Sequence, residues 1–144
     1  MREILFRAKV KDKEELLGKG FPIDENGNLK SEWVFGVPIP RYPDLFLAWN
    51  EACNEYEEVN IIPETITEYT GLKDKNGTKI FEGDIIQDSN YPEYVFRIEY
   101  HNGTIIASEI HTFDKVYLDN FICFNIFEAF VIGNIHDNPE LLQD

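Results

Sequence analysis

A chain of 144 residues has the length of one domain and can bury about 70% of its unfolded surface, so neither a metal nor a disulfide is required to hold it. Its 43% hydrophobic and 14% aromatic content, with eleven Phe and seven Tyr, excludes intrinsic disorder. A net charge of −14 disfavours direct binding to DNA, RNA or an anionic membrane, because phosphate recognition needs clustered Lys and Arg.

Ile4, Phe6, Ala8 and Val10 recur at period two around Leu5, Arg7 and Lys9, which predicts an opening β-strand with one buried face. Glu14 to Leu17 follow, and Gly18 and Gly20 break any helix there. Asp24-Glu25-Asn26-Gly27-Asn28 is a turn signal, and Trp33-Val34-Phe35-Gly36-Val37 after it is rich in strand formers. Pro38, Pro40 and Pro43 then exclude Ile39 to Asp44 from a central strand and predict a surface loop or an irregular edge. Leu45 to Trp49 regain apolar character. Asn50 to Asn60, with Glu51, Glu55, Glu57 and Glu58, fits either a short helix or a solvated strand connection.

The stretch from Thr70 to Ile86, TGLKDKNGTKIFEGDII, is dense in turn formers. Lys75-Asn76-Gly77-Thr78 places an Asn-Gly pair, tolerant of positive φ, between strands carrying Leu72 and Ile80. Glu82-Gly83-Asp84 then bends the chain ahead of Ile85 and Ile86. Tyr94, Phe96, Ile98 and Tyr100 alternate with Val95, Arg97 and Glu99, and Asn102-Gly103 turns the chain back into Thr104 to Phe113. A two-residue turn there sets Tyr100 opposite Ile105, Ile98 opposite Ala107 and Arg97 opposite Ser108.

Phe127, Ala129, Val131 and Gly133 alternate with Glu128, Phe130, Ile132 and Asn134, so both faces are largely apolar, as in a strand covered on two sides. Asn138-Pro139 has the N-cap and first-position pattern of a helix start, predicting a final turn that packs Leu141 and Leu142.

Chemistry-bearing constellations are sparse. His101, His111 and His136 lack the spacing of paired metal ligands, and no metal site is assigned. Cys53 and Cys123 form neither a CxxC pair nor a disulfide framework, consistent with a reducing cytosol. The charged N-terminus does not read as a signal peptide, and no apolar run has membrane-spanning length.

Glu82 and Asp84 are two apart, but Gly83 between them favours a bend in which Asp84 accepts from local backbone amides rather than an acid/base pair. Gly71, Gly77 and Gly83 belong to turns, and no phosphate loop or nucleophile elbow is present. Lys73, Asp74, Glu55, Glu57 and Glu58 read as solvated charges. Trp33, Phe35, Tyr42, Phe46 and Trp49 crowd one segment, where core packing accounts for most and an exposed cluster would mark a protein contact or subunit interface. No catalytic, cofactor-binding or metal residues are expected.

The chain resembles the YopX family of phage and prophage proteins. The resemblance is carried by Ile4-Leu5-Phe6-Arg7-Ala8, Trp33-Val34-Phe35-Gly36, Tyr69 to Gly77, Ile80 to Ile86, Val131 to Ile135 and Asn138 to Leu142, in that order. Glu68, where Gln is usual, and the aromatic and Pro-rich stretch from Val37 to Glu58 depart from the pattern.

The resemblance implies a mainly β protein of phage or prophage origin that assembles as a homo-oligomer, with no established activity and no catalytic residues to carry over. The expected architecture is mainly β, with barrel-like antiparallel sheets of short strands and hairpins and one or two short helices. Residues 1–144 form a single YopX-like domain, with two small β lobes, about 1–62 and 63–144, as the alternative division.

The expected role is that of a non-enzymatic phage or prophage accessory protein in the bacterial cytoplasm. It is expected to act as a self-associating structural or interaction module, with a host or phage protein as a further partner and no cofactor. The alternative is an acidic DNA mimic that inhibits a host nucleic-acid-binding enzyme.

Overall fold

The computed structural model describes residues 4–101, 103–110, 115–117 and 128–142. The chain divides into two compact units, Ile4–Glu68 and Tyr69–Asp144. Both are antiparallel β structures, so the mainly β class implied by the turn pattern is the class observed.

In the first unit β1 (Phe6–Lys9), β2 (Trp33–Ile39), β3 (Tyr42–Asn50) and β4 (Glu55–Asn60) lie in the order β4-β3-β2-β1, and the first residues of β5 (Thr67–Lys73) pair with β1 on its other side. The helix α1 (Lys13–Gly18) has a single buried residue, Leu16. Asp12 caps it by accepting from the Glu14 N–H at 2.9 Å, which satisfies one of the amides a helix start leaves open. Gly20, at φ 74°, turns the chain away after it.

Leu16 joins Ala8, Val10, Phe21, Val34, Phe46, Ala48, Val59 and Ile61 in one dry core on one side of the sheet. Gly36 is essential to that core. A Cβ on it would stand 1.9 Å from the Leu47 carbonyl oxygen, so only a hydrogen fits where β2 and β3 approach.

Two local readings change here. Tyr42 to Asp44 belong to β3, which is flanked by β2 and β4. The prolines are accommodated because the β2–β3 ladder jumps from Ile39–Tyr42 to Pro38–Phe46, leaving Pro43 in an irregular step, while Pro38 lies beyond the last β1 pair at Gly36. Neither ring removes a donor that the ladder uses.

The open choice over Asn50 to Asn60 resolves as a turn followed by strand β4. Asn54 supplies the left-handed residue of that turn at φ 58°. Asn50, fully buried, fixes the turn's entry: its amide donates to Glu57 at 2.7 Å and to the Lys19 carbonyl at 3.2 Å, and its oxygen accepts from Ala52 N–H at 3.0 Å.

In the second unit β5 continues and pairs with β6 (Lys79–Phe81). A further sheet runs β10-β9-β8-β7-β11, from β7 (Asp84–Asp88), β8 (Val95–His101), β9 (Thr104–Glu109), β10 (Lys115–Tyr117) and β11 (Ala129–Asn134). The β8–β9 register is the one the alternation predicts: Tyr100 opposite Ile105, Ile98 opposite Ala107 and Arg97 opposite Ser108. Ile80, Ile86, Phe96, Ile98, Ala107 and Ala129 form its core.

The sheets are open at their edges, without closure into a barrel among the described residues. Accordingly β11 is an edge strand. Its residues 130–133 are half-buried rather than covered on both faces, and Phe127 lies outside the described residues.

The Asp74 region departs most from expectation. The connection from Lys73 to Lys79 is longer than a two-residue hairpin, and Gly77 alone of its Asn-Gly pair has positive φ, at 84°. Asp74, expected as a solvated charge, is buried. One carboxylate oxygen accepts from Asn76 and Thr78 N–H, both at 2.9 Å, and the other from Val131 N–H at 2.9 Å on β11. Asp84 fulfils its expected role by accepting from Phe81 N–H at 2.7 Å and holding the bend.

Gly71 sits inside β5, where the ladder with β6 shifts register, rather than in a loop. The terminal segment begins a 3₁₀ turn at Pro139 as expected, and Leu141 and Leu142 are half-buried. The Asn138 side chain, however, accepts from Asn134 N–H at 3.1 Å instead of capping its own turn.

Candidate interaction surface

The sheet of the first unit has two faces because side chains alternate along a strand. Ala8, Val34, Phe46, Ala48 and Val59 fill the inner face. The alternate positions produce the outer face: Arg7 and Lys9 on β1, Trp33, Phe35 and Val37 on β2, Leu47 and Trp49 on β3, and Tyr56 and Glu58 on β4.

Register converts this alternation into a row. Arg7 pairs with Phe35, Trp49 pairs with Tyr56, and the Gly36–Ala48 pair sets Phe35 beside Trp49. The Trp49 and Tyr56 rings meet edge to face, 4.9 Å between centroids and 65° between planes.

That row is wet. Phe35 is 41% exposed, Val37 38%, Trp49 39% and Tyr56 57%. At its β1 end Arg7 is buried, with its guanidinium 4.8 Å from the centre of the Trp33 ring and its Nε donating to Thr67 Oγ1 at 3.2 Å. The cation therefore orients Trp33 while its methylenes cover apolar surface.

Where β2 begins and β3 ends, a pocket of about 190 Å³ opens, lined by Phe21, Lys30, Trp33, Phe35, Trp49 and Glu51 among others. It is mainly apolar, with one cation and one carboxylate. At the opposite end of the same hairpin stand exposed Arg41 and Tyr42, the latter 58% exposed.

Of the five clustered aromatics, only Phe46 is fully buried, whereas Phe35, Tyr42 and Trp49 are exposed and Trp33 is intermediate. Tyr56 and Val37, outside that cluster of five, belong to the same surface. The signal was available in the alternation of Tyr56 with Glu55 and Glu57, but its meaning depended on β4 being a strand.

The outer edge of this sheet, β4, carries Glu55, Glu57 and Glu58. Glu15 on α1 accepts from Lys19 Nζ at 2.8 Å and from Asn60 N–H at 3.0 Å, tying the helix to that strand. Burial pushes its carboxyl up, but the hydrogen bonds from Lys19 and Asn60 and the Lys19 charge outweigh this and hold it below the ordinary glutamate value.

The remaining sequence candidates do not assemble. The His136 backbone N–H donates to Asn134, the side chains of His101 and His111 lie outside the described residues, and Glu82 and Asp84 flank a bend held by Asp84. Cys53 is an exposed free thiol, and Cys123 lies outside the described residues. Among the described residues no group of three or more His, Cys, Asp or Glu side chains is placed to hold a metal, and no helix is long and apolar enough to cross a membrane.

A family model described as YopX protein matches residues 5–143, nearly the whole chain. The chain belongs to the YopX family. The match spans both units, including the turn segments around Asp74 and Asp84 as well as the aromatic face. A solved structure similar to this YopX-family chain is protein EF1440 from Enterococcus faecalis, with 26% identity, 99% of this chain and 100% of that chain covered, and a TM-score of 0.49. No curated protein matches the chain.

Proposed function

We propose that this YopX-family protein is a non-enzymatic accessory protein of a phage or prophage, working in the bacterial cytoplasm by self-association through the outer face of its first sheet. The observation that carries this reading is the continuous exposed row Phe35, Trp49 and Tyr56, with Val37 beside it. Scattered apolar residues on a surface are ordinary, but contiguous aromatics on a flat sheet face are the composition of interface centres.

Edge pairing is the weaker route. Two β4 strands side by side would set Glu55, Glu57 and Glu58 of one copy against those of another. Face-to-face packing turns Glu55 and Glu57 away from the contact and leaves Glu58 on the edge strand at its rim, where water and salt screen it. Nucleic acid is not a partner on this reading, given the −14 charge.

Light scattering on the full chain tests the proposal. The wild type is expected to be a dimer or larger at micromolar concentration, and Trp49→Ser combined with Tyr56→Ser is expected to shift it to monomer with an unchanged far-ultraviolet circular dichroism spectrum. A wild-type chain that is wholly monomeric under those conditions would overturn the reading.

A further inference from the structure

The outer face is small for an interface between two copies. Four strands about 4.8 Å apart, with about seven residues at 3.3 Å each, give on the order of 450 Å² in projection. A stable interface needs about 800 Å² per partner. Contact beyond the flat face would enlarge the interface, and the hairpin β2–β3 carries two features at its ends that can supply it.

At one end is the aromatic pocket with Trp33, Trp49, Lys30 and Glu51; at the other is the tip Pro40-Arg41, followed by Tyr42. Trp33 and Ile39 bound β2, so pocket and tip lie about 20 Å apart along the sheet. A two-fold axis lying between two facing copies and perpendicular to their strands brings each tip over the other copy's pocket.

Resting on the self-association proposed above, we infer that the pocket is the receptor for the β2–β3 tip of a second copy, with Arg41 of one chain entering beside Glu51 of the other. The interface is isologous, so the contact is made twice. The pocket's own charges, Lys30 and Glu51, balance, so an incoming Arg41 meets a carboxylate without a net charge of its own sign. Two copies of net charge −14 repel at long range, and a site that places a cation against a carboxylate offsets that repulsion where the surfaces meet.

Trp49 beside the pocket suits a guanidinium, which stacks on aromatic faces as Arg7 already does on the Trp33 ring at 4.8 Å. Arg41 and Glu51 are both exposed, and neither makes an ion pair among the described residues.

Sedimentation equilibrium on full chains tests the pairing: wild type, Arg41→Glu, Glu51→Arg and the double variant, each checked by circular dichroism. Each single reversal is expected to raise the dimer Kd by about tenfold or more, and the double variant to restore it to within about threefold of wild type. A dimer that withstands Arg41→Glu but dissociates with Trp49→Ser overturns the tip-in-pocket contact and leaves the face reading intact. Single variants that weaken the dimer without recovery in the double also overturn it. A wild type that is monomeric overturns both, and leaves the pocket to an occupant other than this chain.

Discussion

The two units use similar strands and solve different problems. In Ile4–Glu68 the sheet is aligned by side-chain size: Gly36 opposite Ala48 lets β2 and β3 close up over Phe46, and the turn acceptors are a half-buried carboxylate, Asp24 under Asn26 and Asn28 N–H, and a neutral amide, Asn50 under Ala52 N–H. In Tyr69–Asp144 the turns are held by acceptors placed under backbone amides: Asp74 takes three N–H groups, Asp88 takes those of Asn90 and Tyr91, and the Asn134 oxygen takes those of His136 and Asp137. The comparison teaches that an acidic composition is not one property. Some carboxylates of the second unit are internal hydrogen-bond acceptors, whereas on β4 Glu55 and Glu58 stay at the surface and only half-buried Glu57 takes an internal bond, from Asn50.

The contrast can be broken most forcefully at Gly36. Gly36→Ala forces a methyl against the Leu47 carbonyl, which cannot move without splitting the ladder, and is expected to cost about 3 kcal/mol or more. Chemical denaturation measures it; an alanine variant as stable as wild type would show that β2 and β3 can separate freely.

Asp74 is the matching test in the second unit. Asp74→Ala leaves three amides without their acceptor and is expected to cost about 2 kcal/mol. Asp74→Asn should recover the two bonds inside the turn while setting an amide against Val131 N–H. Hydrogen exchange at Val131 therefore rises in both variants, but at Asn76 and Thr78 only in the alanine variant.

Glu15 offers the smallest and most specific effect. Because its folded value lies below the ordinary one, its contribution to stability is complete above the ordinary glutamate range and is lost as pH falls through the lowered folded value. Wild type should therefore lose stability below about pH 4.5 more steeply than Glu15→Gln, and salt should shrink the difference, since Lys19 and Glu15 are both partly exposed. Identical acid-side slopes would remove Glu15 from the account.

Much of the backbone path was legible in local chemistry. The β8–β9 register followed from alternation and turn length alone, because a strand pair joined by a short turn has few ways to align. The Asp84 bend followed from a carboxylate one residue past a glycine. The Pro-rich crossing was legible in part: Tyr42 to Asp44 are an irregular, exposed extension of β3 past its last pair with β4, and Pro43 is tolerated because β3 has lost register with β2 there. Asp74 misled because a charged residue beside Asn-Gly reads as a solvated tip until β11 is known to bring Val131 N–H to it, 57 positions along the chain.

The sequence by itself determined the strand class, the principal turns and the family, since each depends on residues near one another or on composition. Tertiary structure alone decided which face of the first sheet is dry, which carboxylates are buried, and that Trp33, Phe35, Trp49 and Tyr56 share one surface. Those facts depend on pairings between distant strands, and alternation labels two faces without saying which one the core will cover.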